Sequence, residues 1–165
     1  FEDAMPSPPN APMYFEDHVS LQKPAIKEGT KLNEYEGPLA YVIPGNHDWY
    51  DGLGSFVKYI LHRDWLGGWL MPQTKSYFVL RLPQNFYIFG FDNGVEDDIN
   101  PTQAAYFAKY ANNNLDEQAK VILVQHDPNW VKDQYSAERS DDPRKKKTGK
   151  HIEFLMNGPL LGKVV

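Results

Sequence analysis

Leu39-Ala40-Tyr41-Val42-Ile43-Pro44-Gly45-Asn46-His47-Asp48 sets an apolar run directly before three polar side chains. Leu39 to Ile43 show no alternation of polar and apolar residues, the pattern of a strand buried on both faces, and predict a central strand. Gly45 tolerates a positive φ and close backbone approach. Asn46 then carries an amide oxygen, His47 an imidazole and Asp48 a carboxylate. Open α/β sheets bind ligands outside the carboxyl ends of their strands, so a loop at this place is where a site is expected. An amide oxygen suits a hard or borderline divalent cation, and an imidazole moves a proton near neutral pH. The same residues also read as an Asx-type turn leading into a helix capped by Asp51.

Downstream, Leu53, Phe56, Val57, Ile60 and Leu61 form the stripe of a helix with one face on a core, and His62 reads as a residue at its terminus. Trp65 to Pro72 is an aromatic loop with two glycines, expected to cover the core. Ser76–Leu82 and Asn85–Asp92 are rich in Tyr, Phe, Val and Ile and meet at Pro83-Gln84, as in a hairpin or adjacent strands. Asp92 reads as a turn residue, and Glu96-Asp97-Asp98 as a solvated acidic loop before a helix that Pro101 opens. Val121 to Val124 is a second short apolar run, followed by Gln125-His126-Asp127-Pro128. Polar chemistry again sits at a strand's end. A lone His in that position is usually structural, yet it repeats the arrangement around Asn46.

The first 38 residues, interrupted by Pro6, Pro8, Pro9, Pro12, Pro24 and Pro38, predict a packed, mostly extended lead-in anchored by Phe1, Tyr14 and Phe15. His18, beside Glu16 and Asp17, has no partner spacing and reads as a surface residue. Residues 39–135 carry the motifs, and 136–150 form a charged loop in which Arg144-Lys145-Lys146-Lys147 is a solvated basic run. Ile152, Phe154, Leu155 and Met156 predict a short helix with His151 near its start.

The 165 residues are 41% hydrophobic and 14% aromatic, sufficient for one core. Seventeen Lys and Arg against 22 Asp and Glu give a net charge of −5, which offers no global attraction for nucleic acid. The absence of cysteine excludes disulfides and thiolate metal sites. No apolar run reaches the roughly 18 residues that span a bilayer. The opening at Phe1 and the closing Leu160 to Val165, which reads as the first residues of a strand, predict an internal piece of a longer protein, truncated at both ends.

The order of apolar strand, Pro44-Gly45, polar triplet, Trp49-Tyr50 and helix resembles the Gly-Asn-His-Asp/Glu motif of the calcineurin-like metallophosphoesterases. The likeness extends through Gly45–Gly54 (GNHDWYDGLG), Arg63–Pro72 (RDWLGGWLMP), Ser76–Leu82 (SYFVLRL) and Phe89–Asp92 (FGFD), and covers most of Leu39 to Trp130. It implies an α/β fold, a sandwich of two sheets flanked by helices, of which this chain would be the internal part. It also implies hydrolysis of phosphate mono- or diesters at a pair of metal ions, Mn, Fe or Zn. Two cations about 3.5 to 4 Å apart bind phosphoryl oxygens and an attacking hydroxide together. Asn46 and His126 would be donors to one metal, His47 the proton donor to the departing oxygen, and Gly45 and Asp48 supports of the loop. The family's Asp-x-His, Gly-Asp and late Gly-Asp/His-x-His motifs are not in the sequence. In the usual order they would precede Phe1 or follow Val165. The competing expectation is a noncatalytic domain of the same scaffold that binds a phosphorylated or protein partner.

Overall fold

The computed structural model describes residues 37–66, 69–94, 98–126 and 149–165. The expectations for the lead-in, for His18, for Glu96-Asp97 and for the basic run lie outside these residues. The described residues form a mixed α/β structure of two small sheets and a few helices, divided between two compact units that meet in sequence at Phe78 and Val79.

In the first unit the run from Leu39 is not the central strand its composition predicts. Leu39 makes a single parallel bridge with Leu70, through Ala40 N to Leu70 O at 2.8 Å and Leu70 N to Pro38 O at 3.1 Å. The ladder then stops, because Met71 N turns away to Asp64 O and Pro72 brings no amide hydrogen. The Gln73 side chain takes over. Its Oε1 accepts from Val42 N at 2.8 Å and its Nε2 donates to Val42 O at 2.7 Å, so a buried amide stands in for the missing strand.

Beyond this run a 3-10 helix (Asn46–Asp51) leads to α1 (Gly54–Phe56), which passes directly into a π-helical turn (Val57–Leu61). The apolar stripe is as its spacing predicts: Leu53, Phe56, Val57 and Leu61 are buried together, with Val42, Trp49 and Ile60 against them. His62 closes the helix, its N donating to Val57 O at 2.9 Å. Leu53 joins the two helices with φ 65°, in the left-handed region. That conformation costs a residue with a Cβ roughly 1–2 kcal/mol. Complete burial of the leucine side chain offsets it by about 1.5–3 kcal/mol. β1 (Trp65–Leu66) and β2 (Trp69–Leu70) pair antiparallel, with Trp65 opposite Leu70 and Leu66 opposite Trp69.

The second unit is built on β3 (Phe78–Arg81), β4 (Phe86–Gly90) and β5 (Lys120–Val124), in that order across the sheet. The link Pro83–Asn85 is far too short for a crossover, so β3 and β4 are antiparallel neighbours. Gln84 and Asn85 take φ of 59° and 63°, and Phe86 N closes the turn on Pro83 O. Two successive left-handed residues match the right-handed twist of a hairpin. Asn tolerates the position better than Gln. The turn is tied down where Asn85 Nδ2 donates to Asp116 Oδ1 at 2.8 Å, and this bond, with that from Gln118 N, holds the Asp116 carboxyl below the usual range.

β4 and β5 run parallel, Phe86 opposite Lys120 through Gly90 opposite Val124. Parallel neighbours need a long connection, and α2 (Pro101–Asn114) supplies it. Pro101 occupies the first turn and Asn100 Oδ1 accepts from Gln103 N at 2.9 Å, as a helix start requires. Gln103, Ala104, Phe107 and Ala111 face inward. Phe107 meets Phe89 and Phe91 at centroid distances of 5.5 and 4.7 Å, and Tyr110 meets Tyr87 and Phe89. Burial beside Tyr87 pushes the Tyr110 hydroxyl up. On the far side of β5, Val121 N donates to Lys163 O and Val165 N to Val121 O, so the last residues add to the sheet.

α3 (Lys150–Asn157) packs beside α2. Its first turn is held by Asp98, which is thereby not a solvated acid. The carboxylate accepts from His151 N and Ile152 N, both at 3.1 Å, and meets His151 Nδ1 at 2.9 Å. A Cβ on Gly149 would collide with that carboxyl, so glycine is needed there for close approach. Among the described residues no helix is long and apolar enough to cross a membrane.

Gln84→Gly is expected to raise the unfolding free energy by about 1 kcal/mol, read from urea denaturation, because glycine adopts φ 59° without the steric cost. Gln103→Leu is expected to lower it by about 2–4 kcal/mol, since the buried N and O of Asp92 lose the amide that pairs them. A change below 1 kcal/mol in the second variant would show that the amide is dispensable.

Candidate functional site

The loop that begins at Gly45 is held from both ends. Gly45 N donates to Asp48 Oδ2 at 2.7 Å and Asp48 N returns to Gly45 O at 3.2 Å. Gly52 N donates to Trp49 O and Leu53 N to Asp48 O, and Gly52 takes φ 67° to end the 3-10 helix. Asp51 Oδ2 then accepts from Ser55 N at 2.8 Å, so its carboxylate meets the first turn of α1 although the N-cap position expected for it is taken by Leu53. Gly45 itself has φ −92° and ψ 177°, an extended conformation open to any residue, so the positive φ it tolerates is not used.

On this support Trp49 turns inward onto the Leu53 cluster while Asn46, His47, Asp48 and Tyr50 are exposed. The His47 ring lies 4.8 Å from that of Tyr50, centroid to centroid. Tyr41, in the run leading to the loop, stacks on Phe78 at 5.2 Å, and burial pushes its hydroxyl up.

His126 belongs to the second unit. It is exposed and stands two residues past the end of β5. Asp92 stands two residues past β4, and Gly90 is paired with Val124, so both follow the same edge of the parallel pair. Asp92 is only 2% exposed. Its backbone is gripped by the Gln103 amide, N to Oε1 at 3.2 Å and Nε2 to O at 2.9 Å. The turn residue read from the sequence is thus a buried carboxylate beyond a strand's carboxyl end. The signal available for it was that the two strand ends carry matching polar residues. Asn46 and His47 lie in the first unit and His126 in the second, each placed by its own elements.

No family model matches the chain, and comparison with curated proteins and with solved structures finds no similar one. Among the described residues no three His, Asp or Glu side chains form a group able to hold a metal ion.

Asp48→Ala removes the acceptor of Gly45 N. Hydrogen exchange at the Gly45 amide is expected to quicken about fivefold or more, while the exposed position leaves the thermal midpoint nearly unchanged. Unaltered exchange would show that Asp48 does not hold the loop.

Proposed function

We propose that this chain is part of a phosphoesterase that hydrolyses phosphate mono- or diesters with a pair of metal ions, to which it contributes Asn46 and His126 as donors. The finer fold that goes with this reading is a two-sheet phosphoesterase sandwich. Among the described residues no group of carboxylates and imidazoles completes such a centre. The supporting observation is the loop Gly45–Asp51: two short backbone-to-carboxylate bonds and one half-buried indole fix its course, while Asn46 and His47 are exposed. A rigid support under an exposed imidazole is what proton transfer to a bound substrate requires.

In the reaction a water oxygen forms a bond to phosphorus and the bond to the leaving oxygen breaks, its electron pair staying on that oxygen. His47 supplies the proton that makes the product an alcohol and regains one from the attacking water. The exposed Trp65 and Trp69 favour a second reading, a noncatalytic domain of the same scaffold that binds a phosphorylated or protein partner.

By itself the 165-residue chain is expected to bind Mn²⁺ or Zn²⁺ weakly and to turn over p-nitrophenyl phosphate slowly. Within a longer protein that supplies the bridging carboxylates, His126→Ala should lower metal content, with added metal restoring part of the rate. His47→Ala should keep its metal and lose most rate on esters with a basic alkoxide leaving group. Metal analysis and rates across a leaving-group series decide it. Equal metal loss in both variants, or a His47→Ala defect independent of leaving group, would reject this division, and no turnover in the longer protein would favour the binding domain.

A further inference from the structure

His47 and Tyr50 are three positions apart in the 3-10 helix Asn46–Asp51. A helix with three residues per turn brings such positions to one side. Their rings are 4.8 Å apart and inclined by 31°, within the range of an offset aromatic stack. The neighbouring Trp49 spends its ring on the Leu53 cluster, whereas Tyr50 is 79% exposed. Tyr50 thus adds little to any core, and apart from the side that meets the imidazole its ring faces solvent.

Resting on the phosphoesterase reading above, we propose that Tyr50 is a positioning and specificity-determining residue, which steadies the His47 imidazole and offers a stacking surface to a leaving group that is itself an aromatic ring. The substrate class is an aryl phosphate ester, with a phenolic oxygen bound to phosphorus. The geometry leads there in two steps. Proton donation places the leaving oxygen in hydrogen-bond contact with His47. In an aryl ester the ring is bonded directly to that oxygen, so it lies beside the imidazole and within reach of the ring that already stacks on it. A small alkyl leaving group has no face to present and gains nothing from Tyr50.

The test uses the 165-residue chain and its Tyr50→Phe and Tyr50→Ala variants, titrated by NMR with phenyl phosphate and with methyl phosphate in the presence of Zn²⁺. Because Tyr50 is exposed, all three should unfold at nearly the same temperature. A stacked pair contributes about 0.5–1.5 kcal/mol, so wild type and Tyr50→Phe should bind phenyl phosphate about threefold to tenfold more tightly than methyl phosphate. Tyr50→Ala should lose that preference while its affinity for methyl phosphate stays put. Without ligand, Tyr50→Ala should also shift the His47 ring-proton resonances, which Tyr50→Phe should leave close to wild type. An aryl preference surviving in Tyr50→Ala, or His47 resonances indifferent to it, would overturn the proposal. Equal binding of the two esters by wild type, or binding of neither, would overturn the role of Tyr50 alone; the phosphoesterase reading falls separately, on the absence of turnover in the longer protein.

Discussion

Two buried glutamine amides hold the chain where its strands run out. A peptide group removed from water must find a partner, and leaving one unpaired costs roughly 1–3 kcal/mol. At Val42 the neighbouring backbone ends in Met71-Pro72, and at Asp92 the strand has already passed the last residue of β4. In each case a glutamine side chain donates and accepts as a peptide would, Gln73 to Val42 and Gln103 to Asp92. Both are almost fully buried. The segments that carry polar chemistry, Gly45 to Asp48 and Asp92-Asn93, begin just past these clamps or within them.

The two glutamines also explain what could and could not be read from the sequence. The helices were legible because their signals are local: the Leu53 to Leu61 stripe, and Asn100-Pro101 opening α2 with Gln103 third in line. The hairpin and β5 follow from short apolar runs between turn residues. The run at Leu39 has the same composition as a buried strand, but what pairs it is set by Pro72 and Gln73, some thirty residues on (31 between Val42 and Gln73). Asp98 shows the same difficulty more strongly, since its carboxylate caps a helix whose first residues are 53 and 54 positions away. Nothing in Glu96-Asp97-Asp98 separates the capping acid from its neighbours. Gly149, required by close approach to that acid and not by its own φ, is equally silent in sequence.

The candidate site was legible in its residue types and in part of its local geometry. Asp48 and Asp51 support the loop as short-range hydrogen-bonding rules require, and Asn46 and His47 are directed outward. The conformation of Gly45 was not, because a glycine permits a positive φ without demanding it. The residues that do take the left-handed region are Gly52 and Leu53, and no composition rule would place the leucine there. Burial of its side chain into the Phe56, Val57 and Leu61 cluster outweighs the backbone cost, so core packing sets the exit angle of the polar loop. Strain of this kind persists only where the surroundings over-determine it.

Asp92 bears on how the second strand end would act. A carboxylate 2% exposed is expensive to keep charged, and hydrogen bonds or a nearby cation are the ordinary remedies. The Gln103 amide engages its backbone, not its carboxyl, so the clamp fixes where the side chain starts without neutralising it. His126 leaves β5 at the register position that Asp92 leaves β4. A buried acid and an exposed imidazole at equivalent positions differ in their surroundings: the imidazole reaches solvent, while the acid is enclosed by groups the fold brings to it. Burial thus separates the two strand ends, one turning its polar side chain to solvent and the other folding it in.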